Sequence, residues 1–207
     1  MERQCLPRLS RVTTLRFKWK NVLGIVICLS LCLVFSGYSQ EYFDGCEIRY
    51  KLADGIETLI LSANQGEPEA QYCLAIAFHD GKQVQRDIAQ AVVWYEKAGQ
   101  KGHVEAQYWL CLMYRDGIGV QKNRLESLYW CERAAKTEHP RALYELGQWY
   151  YVGIDRNTHF LVKAYIWFSR ALVAGELAAE DMLRLLESQM TKLQIQEAKK
   201  LSAFENH

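Results

Sequence analysis

Proline is scarce in this chain, three residues in 207, and glycine numbers only thirteen. An all-β chain with a turn about every ten residues would lack turn signals at this composition, whereas twelve Tyr and six Trp amid many straight-chain residues suit helices. Charge of one sign is also missing, the formal total being +1. With half of the side chains apolar, that balance excludes a disordered tail and a nucleic-acid binder driven by bulk charge. No G-x-S-x-G, S-x-x-K, H-E-x-x-H, phosphate-loop or G-x-G-x-x-G fingerprint occurs, so no enzyme class gains support and no cofactor is expected. Gly117-Ile118-Gly119 follows no strand and reads as a turn.

Charge is unevenly placed. Residues 1–39 hold six bases (Arg3, Arg8, Arg11, Arg16, Lys18, Lys20) against one acid, Glu2. Setting these aside from 25 bases and 24 acids leaves 19 against 23, about −4, and a mildly acidic body does not seek phosphate backbones. The basic stretch runs into fourteen uncharged residues, Val22 to Phe35, followed by Gly37 and Ser39 at small-x-small spacing. This pattern predicts a secretory signal peptide over 1–39, cut near Ser39, and hence a periplasmic or secreted protein. Fourteen helical residues span only about 21 Å, short of a ~30 Å hydrocarbon core, so no membrane span remains after cleavage. Leu23 to Tyr38 is the alternative, a single uncleaved N-terminal anchor, and a buried N-terminal helix is the plainer one. Cys28 and Cys32 follow Ile27 and Leu31, where a lipid-attachment site wants a small residue.

Sliding the chain against itself succeeds at an offset of 36 residues, which lays EAQYCLAIAFHDG (from Glu69) over EAQYWLCLMYRDG (from Glu105). A third copy, RALYELGQWYYVG, begins at Arg141 and needs one extra residue after Gly153 to align Trp167, Ala171 and Gly175 with Trp94, Ala98 and Gly102. Within a unit, Ala70, Leu74, Ala77 and Phe78 share one helical face and Gly81 stops that helix. Ile88, Ala91, Val92, Tyr95 and Ala98 then form a second stripe, ending near Gly102. Small residues recur at close-packing positions: Ala75, Cys111 and Gly147 in first helices, Ala91, Ser127 and Ala164 in second ones. Hairpins of this kind cannot bury their apolar faces alone. The expected fold is therefore all-α, a right-handed α/α superhelix of about three 36-residue hairpins with capping helices at both ends. The expected divisions are a half-repeat cap over 40–68, repeats over 69–104, 105–140 and 141–176, and capping helices over 177–207. Glu41 to Asp44 would end one helix of the first cap and Tyr50 to Gln65 would form the next. Thr191-Lys192-Leu193-Gln194 has capping-box spacing at the start of a last helix.

These units resemble the SEL-one-like repeat, a relative of the tetratricopeptide repeat, whose pattern is visible in PEAQYCLAIAFHDG, VEAQYWLCLMYRDGIGV, Trp94-Tyr95 and Trp130-Cys131. The pattern departs at Gln83, which stands for the second loop glycine, and at Asp155 to His159, which replaces the usual loop. The resemblance implies a non-catalytic exported scaffold whose concave groove, lined by the first helices, takes a protein partner, with host interaction as one setting. It also implies two other readings, an envelope-assembly factor associated with peptidoglycan or polysaccharide export and, more remotely, a β-lactam-binding or weakly hydrolysing enzyme. Groove positions are Glu69, Tyr72, Ile76 and His79, then Glu105, Tyr108, Leu112 and Arg115, then Arg141, Tyr144, Gln148 and Tyr151. The three tyrosines Tyr72, Tyr108 and Tyr144 follow the family pattern and read as scaffold. Trp109, Arg115, His79, Gln148, Tyr151 and Leu112 are the candidate partner-binding residues, since large aromatics and Arg anchor interfaces, though Trp109 could equally fill a gap between units.

His103 and His139 recur one repeat apart, too far to share a metal, and read as turn residues. His79-Asp80 has the composition of an acid/base pair, yet Arg115-Asp116 fills the same place, which favours simple helix-end polarity. Beyond residue 39 remain Cys46, Cys73, Cys111 and Cys131, an even number that permits three full pairings in an oxidising compartment. Cys111 and Cys131 lie on the two antiparallel helices of one hairpin, so their bridge is preferred. Buried free cysteines acting as small hydrophobes are the alternative.

Overall fold

A computed structural model of the chain describes Cys46, residues 55–153 and residues 158–204. The signal or anchor segment over 1–39, the expected helix end at Glu41 to Asp44 and residues 154–157 of the atypical loop lie outside the described residues. Among the described residues there are nine helices and no strand. They are α1 (Ile56–Gln65), α2 (Pro68–Asp80), α3 (Ile88–Gln100), α4 (Val104–Asp116), α5 (Arg124–Ala135), α6 (Pro140–Tyr151), α7 (Thr158–Val173), α8 (Ala178–Gln189) and α9 (Lys192–Phe204). Hairpins form by α2 on α3, α4 on α5 and α6 on α7, while α3 on α4 and α5 on α6 join one hairpin to the next. The result is a right-handed α/α superhelix. Helix α1 packs on α2 at one end, and both α8 and α9 pack on α7 at the other.

Local chemistry places the breaks. Gly81 and Gly117 end α2 and α4 in the left-handed conformation, φ 73° and 78°, where glycine avoids a Cβ clash. The chain then doubles back, and the Asp87 N–H donates to the Phe78 carbonyl (2.9 Å) and the Asn123 N–H to that of Tyr114 (2.9 Å). The same two residues cap the returning helices, Asp87 accepting from the Gln90 N–H and Asn123 from those of Leu125 and Glu126. At α9 the Thr191–Gln194 pair closes reciprocally, Gln194 Oε1 accepting from the Thr191 N–H (2.7 Å) and Thr191 Oγ1 from the Gln194 N–H (3.3 Å).

The core runs between the two helices of each hairpin and between successive hairpins. In α2 every residue from Ala70 to Ala77 is buried, more than the single stripe expected from periodicity. The cause is position, since α1 and α3 both cover this helix. In α3 the expected stripe holds, with Ala91, Val92, Tyr95 and Ala98 buried and Ile88 partly covered. The EAQY motif also acquires a physical reason. Gln71 Nε2 donates to the Ala63 carbonyl (3.1 Å) and Gln107 Nε2 to that of Gly99 (2.8 Å), each closing a carbonyl near the end of the preceding helix.

Candidate functional site

First-helix residues that repeat along the chain are mostly spent on joining one hairpin to the next. His103 caps α4, its Nδ1 accepting from the Ala106 N–H (3.2 Å), and His139 caps α6 by the same bond from Ala142 (3.2 Å). With Nδ1 an acceptor, the proton sits on Nε2, which faces Glu69 Oε2 at 3.3 Å from His103 and Glu105 Oε1 at 3.1 Å from His139. At the third junction the charges are reversed, Arg141 Nε lying 3.9 Å from Glu176. Tyr72 stacks on His103 with ring centroids 4.2 Å apart, and Tyr108 is tilted against His139 at 4.9 Å. Burial moves the Tyr108 hydroxyl well above its ordinary pKa and His103 below its own, against the pull of Glu69. The two histidines thus cap separate helices.

Five of the six candidate partner-binding residues fall at two junctions, and the sixth, Tyr151, at the end of the stack. His79, Trp109 and Leu112 belong to the junction of the first and second hairpins. Trp109 and Leu112 are only 5% and 4% exposed, as expected of the alternative in which Trp109 fills a gap between units. The Trp109 ring lies parallel to Tyr95 at 6.1 Å and tilts against His79 at 5.4 Å, plugging the space between hairpins. His79 Nδ1 is 2.8 Å from Asp80 Oδ1, and Lys82 Nζ is 3.8 Å from the same carboxylate. Tyr151 turns toward the end of the stack, its hydroxyl accepting from Gln189 Nε2 (3.3 Å).

Arg115 and Gln148 come together at the next junction, where a cavity of about 450 Å³ opens. At an offset of 36 residues Glu145 stands where the preceding junction has Trp109, Gln148 where it has Leu112, and Trp149 where it has Met113. Exchange of the plugging indole for a carboxylate leaves the space open. Glu145 is drawn to the wall by Arg115, whose Nη1 donates to its Oε2 (2.5 Å). The same guanidinium grips Asp116 through Nε (2.9 Å) and Nη2 (2.7 Å). These carboxylates, Asp116 foremost, hold Arg115 more firmly protonated. Tyr144 and Trp149 supply the aromatic lining, the Tyr144 hydroxyl accepting from Gln148 Nε2 (2.9 Å). Lys122 and Arg124, from the loop between α4 and α5 and the first turn of α5, complete the rim. Arg124 lies over the Trp149 ring, 4.2 Å from its centroid.

Beyond Arg115, Tyr144 and Gln148, sequence reasoning passed over four residues that line this opening, Lys122, Arg124, Glu145 and Trp149. The readable signal was the loss of Trp109's counterpart at Glu145. A larger hollow of about 800 Å³ shares Lys122 and Arg124 on the far side of the loop, but Glu96 and Glu126 offset its positive charge. There the Tyr114 hydroxyl donates to Glu96 (2.5 Å), which with burial raises its pKa.

Two disulfides are present, Cys46–Cys73 joining the segment before α1 to α2 with Cα atoms 5.5 Å apart and Cys111–Cys131 joining α4 to α5 at 5.0 Å. Cys111 and Cys131 occupy the closest approach of α4 and α5, where Ser127 Oγ also donates to the Cys111 carbonyl (2.8 Å). Glu69 lies beside Cys46 and Cys73 at a spacing that could suit a metal, but the two sulfurs are spent on each other.

Among the described residues no helix is long and apolar enough to cross a membrane. The Sel1 repeat family model matches residues 68–103, 104–137 and 140–172. A solved Sel1 repeat protein from Oxalobacter formigenes is 32% identical, with a TM-score of 0.56 over 62% of this chain and 96% of that one. The structure of c5321, described as a protective antigen present in uropathogenic Escherichia coli strains and displaying an SLR fold, is 29% identical with a TM-score of 0.63. That match covers 75% of this chain but only 35% of the antigen. No curated protein matches the chain significantly. Three consecutive matched units on stacked helical hairpins place the chain in the Sel1 repeat family, whose members are helical-repeat scaffolds for protein–protein interaction.

Proposed function

We propose that this chain is an exported, non-catalytic scaffold that takes a segment of a protein partner into the opening between its second and third hairpins. The observation that carries the reading is the exchange of Trp109 for Glu145 at equivalent positions, which closes one junction and opens the next. A lining of two aromatics beside fixed polar groups is the usual make-up of a recognition site. Export is supported by the basic and apolar N-terminal segment and by two disulfides, which persist in oxidising compartments. A setting outside the cell, in contact with a host, is supported by the likeness to c5321, itself described as a protective antigen.

Crosslinking in intact cells tests the site. A photo-reactive amino acid at Gln148, in cells fractionated beforehand, is expected to capture one dominant protein from the envelope or the medium. Glu145→Trp copies the plug of the preceding junction into the opening, and capture is expected to fall at least tenfold while helical content is kept. Undiminished capture by the plugged variant would overturn this site, and recovery of the chain from the cytoplasm would overturn export.

A further inference from the structure

The opening carries more positive charge than its own residues neutralise. Arg115 is matched by Asp116 and Glu145, whereas among the described residues neither Lys122 nor Arg124 has a carboxylate within ion-pair distance, Glu96 and Glu126 lining the hollow on the far side of the loop. Both line the rim of the opening, and the Arg124 guanidinium carbon lies 4.2 Å from the Trp149 ring centroid in a cation–π contact. That contact holds the guanidinium at the opening, and its planar fork matches a carboxylate in two parallel bonds. Below that rim, Tyr144, Trp149 and the exposed Val152 offer an apolar surface.

From this geometry we infer that the partner segment is acidic: an Asp or Glu side chain bridges Lys122 and Arg124, and a neighbouring apolar side chain lies on Trp149 and Val152. The inference rests on the proposed partner site and adds its chemistry. Peptide rather than nucleic acid is the fitting occupant, because the chain beyond residue 39 carries about −4 and would repel a polyanion outside this one rim. The neighbouring junction has no such arrangement: Ile88 stands where Arg124 does, Met113 where Trp149 does, and Trp109 fills the space.

The test is selection of a random twelve-residue phage-displayed peptide library on the full chain, with measurement of synthetic copies of the enriched peptides. Enrichment of an Asp or Glu beside a large apolar residue is expected. Affinity should fall about tenfold in each of Lys122→Gln and Arg124→Gln, in proportion to a lost charged hydrogen bond, and should weaken with rising salt. Thermal melts of both variants, expected to match the wild type, separate a lost contact from lost folding. Peptides without acidic preference that still lose binding in Glu145→Trp would overturn the acidic assignment and leave the site standing. Peptides that bind Glu145→Trp as well as the wild type, or no enrichment at all, would overturn both.

Discussion

Gly147 shows how one residue's size is set by its neighbour. At the closest approach within a hairpin, the first unit pairs Ala75 with Tyr95, the second Cys111 with Cys131, and the third Gly147 with Phe168. A Cβ at Gly147 would meet the fully buried Phe168 ring at 2.7 Å. Ala gains about 1 kcal/mol of helix propensity, but overpacking a ring that cannot retreat costs about 1–3 kcal/mol. Gly147→Ala is therefore expected to destabilise the chain by up to about 2 kcal/mol, read as a lower denaturant midpoint at unchanged slope. A second comparison concerns the loop position that is Gln83 in one unit and Gly119 in the next, both left-handed at φ 62° and 70°. A Cβ at Gly119 would strike the Ile88 side chain and lie 2.8 Å from its carbonyl oxygen, because the preceding hairpin is there to meet it. Gln83 is exposed and bears only the backbone cost. Gln83→Gly should thus stabilise by up to about 1 kcal/mol, and Gly119→Gln should destabilise by more than 2 kcal/mol.

Helix starts are where titration reaches the fold. His103 caps α4 through an unprotonated Nδ1, burial lowers its pKa from the ordinary 6.5, and the nearby Glu69 and Glu105 oppose that shift. Because the folded value lies below the unfolded one, the cap's contribution is complete above about pH 6.5 and is lost as pH falls through the folded value. His103→Ala should cost about 1 kcal/mol at pH 7.5 and less at pH 5, as the wild type loses its own cap on protonation. His103→Asn keeps an acceptor that does not titrate, so its denaturation midpoint should vary less over the same window. These elements also mark how far sequence reading reaches. Hairpin helices, glycine stops and the Thr191 capping box follow from periodicity and short-range chemistry, so they are visible in one repeat. The role of His103 was hidden, because its partners Glu69 and Tyr72 sit more than thirty residues away and become neighbours only through stacking. The same limit explains Trp109, a large aromatic that breaks the family pattern on a first helix. Whether such a residue is an anchor or a plug depends on the adjoining hairpin.

At the scale of the whole molecule, the opening and the crosslinks fall on different parts of the stack. One disulfide joins the segment before α1 to the first hairpin and the other closes the second hairpin, whereas the junction with the third, where the opening sits, is joined by contacts alone, such as Arg115–Glu145 and Arg170–Glu138. In a repeat stack each hairpin is stabilised by its own packing and by its nearest neighbours. Crosslinks spanning 27 and 20 residues restrict the unfolded chain by about 3 kcal/mol each, and that stabilisation acts where they lie. Reduction should therefore uncouple the stack: amide exchange in α2 to α5 should rise markedly on adding reductant to the full chain, while α8 and α9, remote from both bridges and already closer to the end, should change little. Alkylation of the oxidised, denatured chain should find no free thiol among Cys46, Cys73, Cys111 and Cys131. Four free thiols in protein recovered from the envelope or medium would remove both bridges, and uniform exchange along all the hairpins after reduction would show that the stack unfolds as one unit.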